Sequence, residues 1–156
     1  MTQVQYLTFN IGLDLFAIEV LKIKEIIPIG TITKIPQMES FIEGVMNIRG
    51  SVVPIIDMNS RLELNTIMDS NKESIIIIEI EYDGELNDIG FIVSKVDKVF
   101  TKDTVELEST PIFGSKVKKI FIKNIAKVDE MFITILDIEK ILNLDELSAT
   151  KQNIKD

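Results

Sequence analysis

Two aspartates stand in matching places in the sequence and are the first candidates for chemistry. Asp57 closes the run Ile-Ile-Asp, and Asp137 closes the run Ile-Leu-Asp about 80 residues later. A pair of carboxylates could act as general acid and general base. However, each aspartate follows an apolar, strand-like run and precedes a short helical pattern, which is the usual place of an N-cap residue. We therefore expect both carboxylates to cap helices, and a carboxylate-dependent hydrolase is the alternative.

The residue types that are missing restrict the chemistry further. The sequence contains no cysteine and no histidine. This excludes disulfides, thiolate nucleophiles, zinc sites with nitrogen or sulfur ligands, and the commonest general base at neutral pH. A phosphate-binding loop needs a Lys after its last glycine, whereas Gly50 is followed by Ser51. We expect no enzymatic activity and no cofactor.

A dense group of carboxylates raises the question of a metal site. It comprises Glu79, Glu81, Asp83, Glu85 and Asp88. Their spacing does not match the D-x-D-x-D-G-x5-E pattern of a calcium loop. Charged side chains on an exposed strand prevent edge-to-edge pairing with other chains. We therefore expect a solvated strand face here and no bound metal ion.

Charge and hydropathy restrict the classes of partner. The formal net charge of -8 would repel the phosphate backbone of a nucleic acid, so nucleic acid is not expected as a partner. The longest apolar run, residues 75–78, is too short to cross a membrane. The first residues show neither a basic segment nor an apolar export signal. We expect a cytoplasmic protein that does not insert into the membrane.

Short apolar runs separated by turn residues predict a chain made mainly of strands. Leu7, Phe9 and Ile11 alternate with polar residues, as in a half-buried strand. Arg49 and Gly50 separate two apolar arms and predict a hairpin, because Gly50 can adopt a positive φ. Further strands are predicted at residues 15–18, 31–35, 45–48, 52–56, 74–80, 89–93, 96–100, 120–128 and 132–136.

Helix is expected only in short pieces. Val20, Ile23 and Ile27 have helical spacing and predict one or two turns within residues 19–27. Ser40 and Glu43 fit a capping box at another short turn. Two further pieces are predicted at residues 58–62 and 138–144, and residues 65–73 are predicted to form a surface loop.

The repeat around the two aspartates predicts the architecture. Each copy reads as strand, Asp cap and short helix, as a duplicated unit would. Many short strands favour a barrel or a sandwich, and the repeat favours two similar small barrels. The predicted fold class is all-β with minor α. A single domain is predicted over residues 1–147, followed by a polar tail over residues 148–156 whose composition predicts disorder.

The sequence resembles the chemotaxis coupling protein family, the CheW family, over nearly its whole length. Its most specific stretch runs from Phe41 to Asp57 and reads Phe-Ile-Glu-Gly-Val-Met-Asn-Ile-Arg-Gly-Ser-Val-Val-Pro-Ile-Ile-Asp. The family signature is similar: F-I-x-G-V-x-N-L-R-G, then aliphatic residues, Pro, two aliphatic residues and Asp. Ser94 and Asn124 depart from the family pattern, which usually has Asp and Gly there.

The resemblance implies a fold, a function and partners. The fold would be two intertwined, five-stranded, SH3-like barrels without catalytic activity. The protein would be an adaptor in receptor arrays, between the regulatory domain of the histidine kinase CheA and the cytoplasmic tip of methyl-accepting chemotaxis receptors. A coupling domain of a non-flagellar pathway, such as type IV pilus motility, is the alternative.

Several residues are candidates for binding these partners. Arg49 at the hairpin tip could bind a carboxylate of a partner, or could pair with Glu25 or Asp57 of its own chain. The resemblance adds Ile23, Glu25, Ile75 and Val99, although core packing is an alternative for the apolar ones. The full predicted protein-binding set is Val20, Ile23, Glu25, Gly44, Asn47, Arg49, Gly50, Ile75 and Val99.

Overall fold

Ten strands and two short helices make up the structure, a computed structural model that describes residues 2–64, 73–109 and 117–142. Residues 65–72 of the loop predicted over 65–73, and the predicted tail, lie outside the described residues. The strands are β1 Gln3–Ile11, β2 Asp14–Glu19, β3 Ile23–Pro28, β4 Ile42–Ile48, β5 Ser51–Asp57, β6 Ser74–Tyr82, β7 Glu85–Val93, β8 Lys95–Asp103, β9 Ile122–Val128 and β10 Met131–Leu136. The helices are α1 Met58–Arg61 and α2 Ile138–Ile141, and 3-10 turns occupy Val20–Lys22, Thr104–Glu106 and Lys119–Phe121.

The strands form two curled five-stranded sheets, which confirms the predicted fold class. The first barrel has the order β8-β1-β2-β10-β9, and the second has the order β3-β6-β7-β5-β4. The chain therefore begins the first barrel, completes the second, and returns to finish the first. Each barrel contains one parallel pair among antiparallel ones, β2 with β10 and β5 with β7. None of the described helices is both long and apolar enough to span a membrane.

Two-residue turns set the register of the hairpins. Arg49 and Gly50 both have positive φ, 52° and 85°, as do Asp83 and Gly84 in the β6–β7 hairpin. Two central residues with positive φ are typical of the type I′ turn, whose twist matches that of the flanking strands. The predicted hairpin at Arg49 and Gly50 is therefore confirmed, with Ile48 paired to Ser51.

Three apolar cores account for the hydrophobic pattern. The interiors of the two barrels form two of them, and the third lies between the barrels. Strand β6 separates two of these cores: Ile75 and Ile77 face the interior of the second barrel, while Ile76 and Ile78 face the core between the barrels. Both faces of β6 are buried, which explains why the run is continuously apolar rather than alternating.

The internal repeat appears as two equivalent strand-to-helix joints. Asp57 accepts a hydrogen bond from the Asn59 amide at 3.0 Å, and Asp137 accepts one from the Lys140 amide at 3.3 Å. The backbone amides of the two aspartates donate to the carbonyls of Phe41 and Phe121, each at 2.8 Å. Both aspartates therefore act as the predicted N-caps.

Three predictions of local structure are wrong. Residues 19–27 contain one 3-10 turn and then the strand β3, because β3 pairs with β6 and this pairing overrides the helical spacing. Residues 31–35 form no strand beyond a single bridge between Thr33 and Val45. Ser40 lies in a turn that leads directly into β4, so the capping box starts no helix.

Candidate functional site

The β4–β5 tip, formed by Asn47, Arg49 and Gly50, is the most distinctive polar feature among the predicted site residues. Arg49 donates to Glu25 Oε2 at 2.7 Å, and their side chains are 73% and 23% exposed. Strands β3 and β4 are the two edges of the second sheet, so this ion pair joins the edges and helps to close the barrel. The hydrogen bond to Glu25 raises the pKa of Arg49.

The tip has two local energetic costs. Arg49 adopts a left-handed backbone conformation, which is unfavourable for a residue with a Cβ by about 1 kcal/mol or more. Glu25 Oε1 is buried, and no described group forms a hydrogen bond with it. A buried oxygen without a partner is also unfavourable. The left-handed conformation of Arg49 is the one that the type I′ turn requires, so the buried Glu25 oxygen is the feature that the turn does not explain.

The neighbouring residues shape the tip in different ways. Asn47 accepts a hydrogen bond from the Gly50 amide at 2.9 Å, which stabilises the turn. Val52 lies directly opposite Asn47 and is 62% exposed, so it adds an apolar side chain to the same face. Gly44 is buried, and a Cβ at this position would lie 2.3 Å from the Thr33 carbonyl oxygen. The structure therefore assigns Gly44 a steric role rather than a surface position.

Val20 and Ile23 lie at the junction of the two barrels. Both are partly buried and pack against the core between the barrels, at the 3-10 turn and the start of β3. They do not share the face of a helix with Ile27, contrary to the sequence prediction, because Ile27 belongs to β3 and packs against the interior of the second barrel. The sequence analysis missed Leu21, which is 95% exposed in the same turn. Nothing in the run Val-Leu-Lys-Ile distinguishes Leu21 from its partly buried apolar neighbours.

The two remaining predicted residues lie apart from the tip. Ile75 is completely buried in the interior of the second barrel, which is the core packing that the sequence analysis kept as the alternative for it. Val99 belongs to β8, an edge strand of the first barrel, and is 50% exposed. The structure thus brings together Glu25, Asn47, Arg49 and Gly50, and it places Val99 on the other barrel.

A small charged cavity beside Asp137 is the place where paired carboxylates could suggest catalysis. Its volume is about 80 Å³, well below the 300 Å³ or more of an ordinary ligand site. Glu19 pairs with Lys123 at 2.5 Å, and Glu139 pairs with Lys22 at 2.6 Å. The hydrogen bond from Lys22 lowers the pKa of Glu139, the opposite of what a general acid needs. These carboxylates are ion-paired or occupied in capping.

Comparison with known proteins gives consistent results. The sequence model of the family described as "CheW-like domain" matches residues 5–146. The chemotaxis protein CheW of Bacillus subtilis is 34% identical over 82% of this chain and 80% of its own length. The chemotaxis protein CheW of Treponema pallidum is 26% identical over 93% of this chain and 85% of its own length.

A solved structure supports the same similarity. The crystal structure of the scaffolding protein TtCheW from Thermoanaerobacter tengcongensis superposes with a TM-score of 0.80 at 29% identity, covering 90% of this chain and 88% of that one. The similarity therefore extends over both barrels rather than one.

Proposed function

The chain belongs to the CheW-like domain family, and on this premise we propose that it is a non-catalytic adaptor in chemotaxis signalling. The observation that carries the proposal is the extent of the match, which covers both barrels and leaves no second domain within residues 5–146. The relatives are named as chemotaxis and scaffolding proteins. Their role transfers to this chain through the shared fold and the signature around Arg49.

We infer that the partners are the regulatory domain of the kinase CheA and the cytoplasmic tip of methyl-accepting chemotaxis receptors. An adaptor that performs no chemistry needs separate faces for its two partners, each with an apolar centre and a few orienting polar groups. The β4–β5 tip offers Arg49 and Glu25 beside exposed Val52, while Val99 is exposed on the other barrel. The protein would act in the cytoplasm, at membrane-bound receptor arrays.

The energetic costs at the tip support a binding role. Backbone strain and incompletely bonded polar atoms persist mainly where function requires them. Glu25 Oε1 is such a polar atom, whereas the positive φ of Arg49 recurs at Asp83 and Asp129 and follows from the turn. The ion pair aims a guanidinium at solvent in a defined direction, which suits a carboxylate or a carbonyl of a partner.

Arg49→Ala and Glu25→Ala test this role. Loss of a charge-assisted contact typically weakens binding by about 2 kcal/mol when the partner group is left buried. This corresponds to a roughly thirtyfold larger dissociation constant. We expect this weakening for the kinase domain or the receptor tip, measured by isothermal titration calorimetry. The thermal melt of Arg49→Ala should change little, because Ala and Arg both have a Cβ at the left-handed position and the Arg49 side chain is 73% exposed.

Asp129→Asn is the matched control. Asp129 lies at the equivalent hairpin tip of the first barrel, is 85% exposed along its side chain and also has positive φ, which Asn tolerates. If the Arg49 and Glu25 variants melt several degrees lower while the folded protein binds normally, the pair is structural. If the unaltered protein binds neither the kinase domain nor the receptor tip, the adaptor proposal itself is wrong.

A further inference from the structure

Strand β6 has an edge that continues beyond its neighbour. Strand β3 pairs with β6 only as far as the pair Ile23 and Ile78, whereas β6 extends to Tyr82. On its other side β6 pairs with β7 along its whole length. Within the described part of the chain, no backbone group pairs with Glu79 or Glu81 on the β3 side.

The turn of the hairpin decides which backbone groups point toward this open edge. In a two-residue hairpin the residues that flank the turn exchange both of their backbone hydrogen bonds, and the bonding then alternates along the strand. Tyr82 and Glu85 flank the turn, so the amide and carbonyl of Glu81 and Glu79 point away from β7. The β4–β5 hairpin follows the same rule, since the Val45 amide and carbonyl bond outward to Thr33 at 2.9 Å.

A groove lies along this open edge. Its volume is about 390 Å³, within the range of ligand sites, and it runs between β6 and α2. The lining side chains are Lys22, Ile78, Glu79, Ile80, Glu81, Ile138 and Glu139. Isoleucines from both barrels therefore contribute apolar surface, and three carboxylates with one ammonium surround it.

On the two faces of β6, an added strand would contact side chains of different types. Residues paired directly across two strands project to the same face. A residue opposite Glu81 would therefore lie beside Glu79 and Glu81, and its sequence neighbours would lie beside Ile80 and Ile138. Glu79 already pairs with Lys24 at 3.3 Å, so Glu81 is the carboxylate that favours Lys or Arg on the first face. The isoleucines favour an apolar side chain on the second face.

We propose that the open edge of β6 binds an extended peptide segment of a partner protein in which Lys or Arg alternates with apolar residues. The segment adds a short antiparallel strand beside Glu79 and Glu81, a known mode of peptide recognition. The carboxylates also repel strands without complementary charge, which gives the edge selectivity. This proposal is independent of the adaptor role, because no chemotaxis partner takes part in it.

Synthetic peptides with alternating Lys and Val provide the probe, measured by fluorescence anisotropy with the full chain. One peptide is N-methylated on its Lys residues, which removes the amides that would bond to Glu81. A second peptide is N-methylated on its Val residues, whose amides would point away from β6 in the proposed pairing. We expect the unmodified and Val-methylated peptides to bind similarly, and the Lys-methylated peptide to bind at least roughly tenfold more weakly.

Glu81→Lys and Glu85→Lys form a matched pair of charge reversals. Glu81 lies on the proposed face, and Glu85 lies on the opposite face of the same hairpin. Only Glu81→Lys should weaken binding, with circular dichroism confirming that both variants are folded. The proposal is wrong if no peptide binds, if both methylated peptides bind alike, or if both variants weaken binding equally. The last two results would indicate unspecific attraction to a chain of net charge -8.

Discussion

Two glycines of the signature stretch have different physical reasons to be glycine. Gly44 faces the backbone of residue 33, and an added Cβ would lie 2.3 Å from a carbonyl oxygen that cannot move away easily. Gly50 has φ +85°, yet no atom lies within 4 Å of the position of its Cβ. Gly44 also has φ +156°, so steric exclusion and backbone conformation both act there, whereas backbone conformation alone acts at Gly50.

Gly44→Ala should destabilise the protein more than Gly50→Ala. Overpacking against backbone should lower the free energy of unfolding by about 3 kcal/mol, whereas the unfavourable φ at position 50 should lower it by about 1 kcal/mol. Urea unfolding of the two variants measures both values. Equal losses would show that strand β4 moves away from Thr33 at little cost.

The residue-scale predictions succeeded where one residue type had one physical reason. Gly50 in a turn and Asp57 and Asp137 as caps could be predicted because φ and orphan amides follow from local sequence. The Arg49 and Glu25 pair was one of two pairings left open, because the sequence does not reveal which strands form the edges of a sheet. Burial of Ile75 depends on strand neighbours in the same way.

The element scale shows why residues 19–27 were misassigned. Val20, Ile23 and Ile27 satisfy a helical period, yet Ile23 packs against the core between the barrels and Ile27 packs against the interior of the second barrel. Apolar residues that contact two different cores from opposite faces of a strand can have the same spacing as the apolar face of a helix. Strand β6, whose residues also serve two cores, was identified because its continuous run leaves no helical alternative of that length.

At the two helix caps, the hydrogen bond of each aspartate can be separated from the effect of its negative charge. Asp57→Ala and Asp137→Ala should each lower the free energy of unfolding by about 1 kcal/mol, while the corresponding Asn variants should lose little, because Asn is an equally good N-cap. Denaturant titration checks this order. If the Asn variants are destabilised as much as the Ala variants, the negative charge rather than the hydrogen bond stabilises these helices.

At the scale of the whole molecule, the two barrels form one unit through the core between them. That core draws on strands of both barrels, including Phe9 and Phe16 from the first and Phe91 from the second. The ring centroid of Phe9 lies 6.4 Å from that of Phe16 and 5.8 Å from that of Phe91. Because neither barrel can bury these rings alone, we expect a single cooperative unfolding transition.

The repeated joints meet at Arg61, a residue whose role the sequence did not reveal. Arg61 Nε donates to the Ile141 carbonyl at 2.7 Å, and its guanidinium lies 4.3 Å from the ring centre of Phe41 and 5.0 Å from that of Phe121. Arg61 is the last residue of α1 in the first copy of the repeat, and its side chain donates a hydrogen bond to the last residue of α2 in the second copy. Position 141, its counterpart in the repeat, is Ile, so a single guanidinium serves both joints.

Arg61→Met should therefore destabilise both barrels together. The variant removes a hydrogen bond from a charged donor and two cation–π contacts, which should lower the free energy of unfolding by about 2 kcal/mol. Arg61→Lys should lose nearly as much, because an ammonium lacks the planar fork that bonds and stacks at once. Arg49→Met, at the other arginine in the sequence, is the control and should leave the unfolding midpoint almost unchanged because that side chain is exposed. Urea unfolding followed separately by near-UV and far-UV circular dichroism should show one shifted transition for Arg61→Met.

Two separate transitions of Arg61→Met would mean that Arg61, rather than the apolar core, couples the barrels. An unchanged midpoint would mean that the guanidinium contacts contribute nothing to the free energy of unfolding.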